Sequence, residues 1–296
     1  MDIQYITEFV TLVETGKFSE VADRLYISQS SISKHIKALE TELGVPLLER
    51  QTKRKVVLSE YGQMFLPYAE QISLLQQEYM SIQKKHQREN TEVLCIGSIP
   101  AMQQYNITRL LSKFQAECPD IVLRVEEVDS TISKARVSNG DLDFAFVRDI
   151  SPRKNDVLKR IPYTSDRVCA ILPGTHKLSK ERSISLLQLA DEKFLLLKDA
   201  SFMYDVCMEQ CQKAGFEPAV TYTGSRAYNI LGMVARGNGV ALLTRQPISP
   251  FKDDFDVALV DIEPAIETKI NLIYHAKTPL TKSAKQFLEF YHREME

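Results

Sequence analysis

Gln29, Ser30, Ser33, Lys34 and Lys37 crowd into one stretch, "ISQSSISKHIKALETELG" (27–44), with Ser28 and Ser31 among them. Their shared chemistry is hydrogen bonding and positive charge. Gln can bond an adenine edge bidentately, and Ser can donate or accept at a base. Lysine meets phosphates. No acid lies between Asp23 and Glu40. A second basic concentration follows in "VPLLERQTKRKVVLS" (45–59), where Arg50, Lys53, Arg54 and Lys55 stand with no acid after Glu49. Cations on such a loop suit flanking phosphates or a minor groove. A third set is dispersed: Ser98, Gln103, Arg148, Lys198, Ser201, Ser225 and Arg226. Hydroxyls and helix N-termini favour an anion, and arginine can hold a carboxylate bidentately.

The elements that must position these groups can be read from periodicity. Ile3, Ile6, Phe9, Val10 and Val13 mark one face of a helix over 2–14, ended by Gly16. "FSEVADRLY" (18–26) reads as a second helix with Ser19 as its N-cap. A third starts at Ser28, with Ile32, Ile36, Leu39 and Leu43 inward and Gly44 as its left-handed cap. Gln29, Ser30, Ser33, Lys34 and Lys37 then face outward. Two short helices joined by a tight turn form a helix-turn-helix, whose second helix enters the major groove by its N-terminal part. Glu40 and Glu42, at the far end, should stay outside the groove. The apolar runs flanking the basic loop predict a hairpin, hence a wing.

From 59 to 89 the chain reads as a long linker helix. Phe65, Tyr68, Ile72, Leu75, Tyr79 and Ile82 are spaced like a coiled-coil seam, which predicts dimerisation. Pro67 should kink this helix or remove one of its hydrogen bonds. Two recognition helices related by a two-fold axis would read a dyad-symmetric site about one helical turn apart. "KKHQREN" (84–90) reads as a polar linker. Residues 92–296 alternate strand patterns ("EVLCIGS", "IVLRVEEV", "LDFAFVRD", "RVCAILP", "KFLLLKD", "GVALLTR") with helices, which predicts an α/β sheet with parallel strands.

Composition excludes other classes. The formal net charge of −2 rules out a bulk polycation, so nucleic-acid binding must be a local patch. No apolar run is long enough to span a bilayer, and the N-terminus lacks a signal-peptide pattern, so a cytoplasmic protein without membrane contact is expected. The odd cysteine count of five predicts no disulfide framework. Cys207 and Cys211 fall one helical turn apart, a poor spacing for a disulfide, and read as buried thiols. The histidines show no metal spacing. "GNGVAL" (237–242) turns into a strand, unlike a nucleotide loop, and no G-x-S-x-G is present. Neither metal nor cofactor is expected, and no enzyme.

Residues 1–64 resemble the LysR-type transcriptional regulators. The resemblance rests on "FVTLVETGKFSEVADRLYISQSSISKHIKALETELGVPLLERQTKRKVVLSEYG". Lys17, Val21, Leu48 and Ser59 depart mildly from the family pattern, none on the DNA face. "NGDLDFAFV", "RVCAILPGTHKLSK" and "MVARGNGVALLT" extend the likeness to the C-terminal part. The resemblance implies a winged helix-turn-helix (1–58), a linker and dimerisation helix (59–89) and a periplasmic-binding-protein-like effector domain (90–296). That domain would have two subdomains, about 92–162 with 267–296, and 163–266. A small molecule would sit in their cleft. Homodimers, homotetramers and contact with RNA polymerase are further expectations. The alternatives are a cytosolic ligand- or redox-sensing protein without DNA readout, which leaves 1–58 unexplained, and an α/β enzyme with a DNA-binding appendage, which lacks a catalytic constellation.

Overall fold

The computed structural model describes residues 2–25, 27–49, 56–88, 92–149, 157–198, 201–252 and 254–295, with backbone alone at 23–24, 81 and 84–88. The chain divides into two compact units, Met1–Gln83 and Lys84–Glu296.

The first unit is helical. Helix α1 (Ile3–Thr15) starts at Asp2, whose side chain accepts from the Gln4 N–H, and stops at Gly16, whose φ of 74° only glycine adopts without strain. Its buried face is Ile6, Phe9 and Leu12. Helix α2 (Phe18–Leu25) begins one residue before Ser19, so Ser19 lies inside the helix and is not its cap. Helix α3 (Gln29–Leu43) is capped by Ser28, which accepts from the Ser31 N–H, and ends at Gly44. Ile32, Ile36 and Leu39 close the core with Val21 and Leu47. Each such fully buried aliphatic side chain contributes about 1.5–3 kcal/mol. Leu48 and Leu58 pair antiparallel at the base of the predicted wing.

Helix α4 (Glu60–Arg88) continues through Pro67, which is exposed. Ser59 caps it: the Gly62 N–H reaches Ser59 Oγ at 3.0 Å, and Ser59 donates to the Pro46 carbonyl at 2.5 Å. Phe65 and Ile72 pack onto the core of their own unit, Phe65 against Phe9 with ring centroids 5.6 Å apart. These two residues therefore leave the proposed dimer seam. Tyr68, Leu75, Tyr79 and Ile82 remain on an exposed apolar stripe that Met64 extends.

The second unit is a mixed α/β structure. In the first half, β1 (Val93–Ser98) lies between β2 (Val122–Glu127) and β3 (Phe144–Asp149), all parallel. Helices α5 (Ile107–Glu117), α6 (Ser130–Ser138) and α10 (Lys282–Met295) flank them. The long β4 (Leu158–Pro173) belongs to both halves. Its first part pairs with β10 (Glu267–His275), which also pairs antiparallel with β3. Its last part pairs with β8 (Val240–Thr244) and β9 (Val257–Glu263). β6 (Lys193–Leu197) joins β7 (Ala219–Gly224) to β8 in parallel, and short β5 (Ser183–Ser185) pairs with β9. Helices α7 (Phe202–Lys213), α8 (Ala227–Ala235) and α9 (Arg245–Ile248) complete this half. The antiparallel pairs correct the all-parallel expectation. The chain crosses between the halves twice, and the two crossing strands, β4 and β10, are antiparallel neighbours.

The cores follow the halves. Ile96, Phe114, Phe144, Phe287 and Tyr291 anchor one cluster. Phe194, Leu196, Leu242 and Val260 anchor another. Among the described residues no helix is long and apolar enough to cross a membrane.

Candidate nucleic-acid interface and effector cleft

Helix α3 sorts its side chains by face. Ile32, Ile36 and Leu39 are buried, while Ser28, Gln29, Ser30, Ser33, Lys34 and Lys37 are exposed. Ser31 is half-buried, and its hydroxyl lies 2.8 Å from Ser28 Oγ, so it belongs to the helix start. Glu40 does structural work: its Oε1 accepts from the backbone N–H groups of Leu47 (2.7 Å) and Leu48 (3.1 Å). This ties the end of α3 to the segment that carries the Leu48–Leu58 bridge. His35 faces α1, where Nδ1 lies 2.8 Å from Oε2 of buried Glu8 and the ring stacks on Tyr5 at 4.3 Å. Arg50, Lys53, Arg54 and Lys55 lie outside the described residues.

In the second unit a cavity of about 760 Å³ opens between the two halves. It is lined from the C-terminal ends of β3 and β6 and the N-terminal ends of α6, α7 and α8, as binding sites in α/β sheets are. Gln103, Arg148, Lys198, Ser201, Ser225 and Arg226 all line it. Gln103, Lys198, Ser225 and Arg226 are exposed there; Arg148 and Ser201 are buried. Ser98 does not line the cavity. It is fully buried, with its hydroxyl 3.4 Å from the Ile99 carbonyl.

Arg148 is the unusual group. It is only 5% exposed, and its guanidinium donates to two neutral oxygens, Thr268 Oγ1 and Tyr105 Oη, both at 2.6 Å. Among the described residues no carboxylate pairs with it. Its backbone N–H is taken by Ser130 Oγ at 2.9 Å, which leaves the Ser130 hydroxyl proton for another acceptor. A buried cation with no carboxylate in direct contact is costly. An anion entering the cavity would supply that contact.

Ser130, Thr244, Asp129 and Tyr228 also line the cavity and were missed in the sequence. Asp129 caps α6 through the Thr131 N–H (2.9 Å) and accepts from the Phe202 N–H (3.3 Å) across the cleft. Ser130 is the first residue of α6. Thr244 closes β8, and strand ends are where ligands bind in α/β sheets.

Cys95, Cys169, Cys207 and Cys211 are buried, and Cys118 is half-buried. Cys169 Sγ lies 3.6 Å from the Leu243 carbonyl, and Cys207 Sγ 3.6 Å from that of Leu242. Burial pushes the thiols of Cys169 and Cys211 up to about 12 and that of Cys207 further still.

Comparison with known proteins fits both units. Residues 3–63 match the model of the bacterial regulatory helix-turn-helix proteins of the lysR family, and residues 87–296 match the LysR substrate binding domain. The chain is 26% identical over 298 residues to the DNA-binding transcriptional dual regulator OxyR of Escherichia coli, covering 100% of this chain and 96% of that one. It is also 26% identical to the transcriptional dual regulator GltC of Bacillus subtilis, over 92% and 93% of the two chains. An H2O2-bound mutant of Corynebacterium glutamicum OxyR is structurally similar, with a TM-score of 0.58 at 25% identity, covering 99% of this chain and 92% of that one. The chain belongs to the LysR family: it is a DNA-binding transcriptional regulator with a C-terminal ligand-binding domain.

Proposed function

We propose that this regulator reads DNA with the outer face of α3 and responds to a small anionic effector held by Arg148. Gln29, Ser30 and Ser33 approach base edges, and Lys34 and Lys37 meet phosphates. Arg50, Lys53 and Arg54 hold flanking backbone or minor groove. The exposed stripe Met64, Tyr68, Leu75, Tyr79 and Ile82 on α4 pairs two copies, and the dimer reads a dyad-symmetric site. Assembly to a tetramer, contact with RNA polymerase and a cytoplasmic location complete the reading. The protein acts by binding, without turnover.

The effector reading rests on one observation: Arg148 is buried at the cavity with neutral partners only. Gln103, Ser130 and Ser201 add hydrogen-bonding groups to the lining, and the three cations Arg148, Lys198 and Arg226 stand there against two acids, Glu127 and Asp129. Peroxide chemistry at Cys169, Cys207 or Cys211 is disfavoured, because these three are buried and held as thiols.

The test is thermal unfolding of the full chain with benzoate, citrate and glutamate beside neutral and cationic compounds of similar size. At one hundred times its dissociation constant a bound carboxylate adds about 2.7 kcal/mol. The reading requires stabilisation by a carboxylate that Arg148→Met abolishes. Stabilisation by neutral or cationic compounds alone overturns it.

A further inference from the structure

Tyr105 is 2% exposed and off the cavity wall, yet it bonds residues of β3, β4 and β8. Its hydroxyl lies 2.6 Å from Arg148 Nη2, 2.5 Å from Asp166 Oδ2 and 3.3 Å from Thr244 Oγ1. The proton positions follow from chemistry. Guanidinium only donates, an ionised carboxylate only accepts, so the phenol proton points at Asp166. Burial, partly offset by Arg148, pushes the phenol up to about 12, which keeps that proton in place.

Arg148 thus donates to the phenol oxygen that in turn donates its proton to Asp166. Both bonds are charge-assisted, and each polarises the other. Asp166 lies on β4, the crossing strand. Its carboxylate also accepts from the Gln246 N–H of α9, at 3.1 and 3.3 Å, and so holds the other half of the domain. The Gln246 side chain bonds the Gln104 carbonyl at 2.9 Å. Thr268, on the other crossing strand, accepts from Arg148 and donates to the Asp166 carbonyl at 3.3 Å. Tyr163 donates to the Tyr105 carbonyl at 2.7 Å.

We infer that Tyr105 is a positioning residue through which the charge on Arg148 sets the hold of Asp166 on Gln246, and with it the hold between the two halves of the effector domain. The inference rests on reading Arg148 as the anion contact. An anion paired directly with Arg148 weakens its pull on the phenol oxygen. The Tyr105–Asp166 bond loosens, and the Gln246 end of the bridge loosens with it. Neither effector atoms nor a rearranged backbone are needed at Tyr105 itself.

The test needs no effector. Hydrogen–deuterium exchange of the full chain is measured for wild type, Tyr105→Phe, Arg148→Met and the double variant. Tyr105→Phe keeps the ring and removes the proton. Each single variant should speed exchange over 245–248 about tenfold, with β6 amides unchanged. The double variant should go no further than about threefold beyond the faster single one, because both changes break one chain of bonds. If Arg148→Met does not fold, Arg148→Gln takes its place. Additive effects, or an Arg148 variant with wild-type exchange over 245–248, overturn the inference. The carboxylate titration reads the anion contact separately: binding can be present with the coupling absent, or the reverse.

Discussion

His35 Nδ1 and Glu8 Oε2 lie 2.8 Å apart, and this contact joins the recognition helix to α1. Glu8 is 1% exposed and takes a second bond from Gln4 at 3.0 Å. Its carboxylate has no water to fall back on. Glu8→Ala should lower the stability of the N-terminal unit by about 1–3 kcal/mol, because it removes a charge-assisted bond and its buried packing. His35→Ala should cost more than Glu8→Ala, since it leaves the buried carboxylate one donor short. Urea denaturation followed by circular dichroism checks both. An unchanged midpoint for both variants would contradict the pairing.

Gly62 stands where α4 closely approaches the backbone of Leu47. A Cβ there would sit 2.1 Å from the Leu47 carbonyl oxygen. That oxygen also accepts from the Ser59 N–H at 2.9 Å, so it cannot move freely. Gly62→Ala should cost upwards of about 2 kcal/mol and weaken DNA binding through a displaced α4. Equal thermal midpoints for variant and wild type would show that the close approach is absent.

Alkaline pH should unfold the effector domain early. The folded values of about 12 for Tyr105 and Cys169 lie above the ordinary 10.0 and 9.0. The folded chain therefore keeps protons that the unfolded chain has lost. This stability is fully present below pH 9 and is lost progressively as pH rises toward 12. Denaturant midpoints at pH 8, 9, 10 and 11 should fall, and Tyr105→Phe should fall less steeply above pH 10. A flat wild-type profile would contradict the burial of both groups.

Thiol chemistry should be slow. Cys207 and Cys211 are both buried on α7, and the thiolate is the reactive form. DNA binding by wild type and by the Cys207→Ser, Cys211→Ser double variant should be equal with and without hydrogen peroxide. A peroxide effect present in wild type and missing from the double variant would establish a redox role.

Much of this was legible in the sequence, and the reasons are local. Ser59 and Gly62 could be matched to the family pattern, and the structure adds what they do: one caps α4 and the other admits Leu47. The outward face of α3 followed from the spacing of Ile32, Ile36 and Leu39. The seam on α4 was only half legible. A heptad-like spacing marks apolar faces without saying whether the partner is the same chain, and Phe65 and Ile72 turn to their own core. Ser98 failed because lying at a strand end does not decide which side of the sheet a side chain takes. Tyr105 and Asp166 were invisible because they are 61 residues apart and only the fold brings them together.

The outer face of α3 is expected to select bases while the basic loop holds backbone. Binding-site selection from random duplexes with the full chain tests it most directly, followed by affinities of Gln29→Ala and Lys53→Ala at several salt concentrations. Wild type should yield a dyad-symmetric consensus, and Gln29→Ala should show relaxed base preference at each half-site. Lys53→Ala should weaken all duplexes alike and flatten the logarithmic salt slope by about one unit for each phosphate no longer neutralised. An unaltered consensus for Gln29→Ala, or no selection by the wild-type chain, would contradict it.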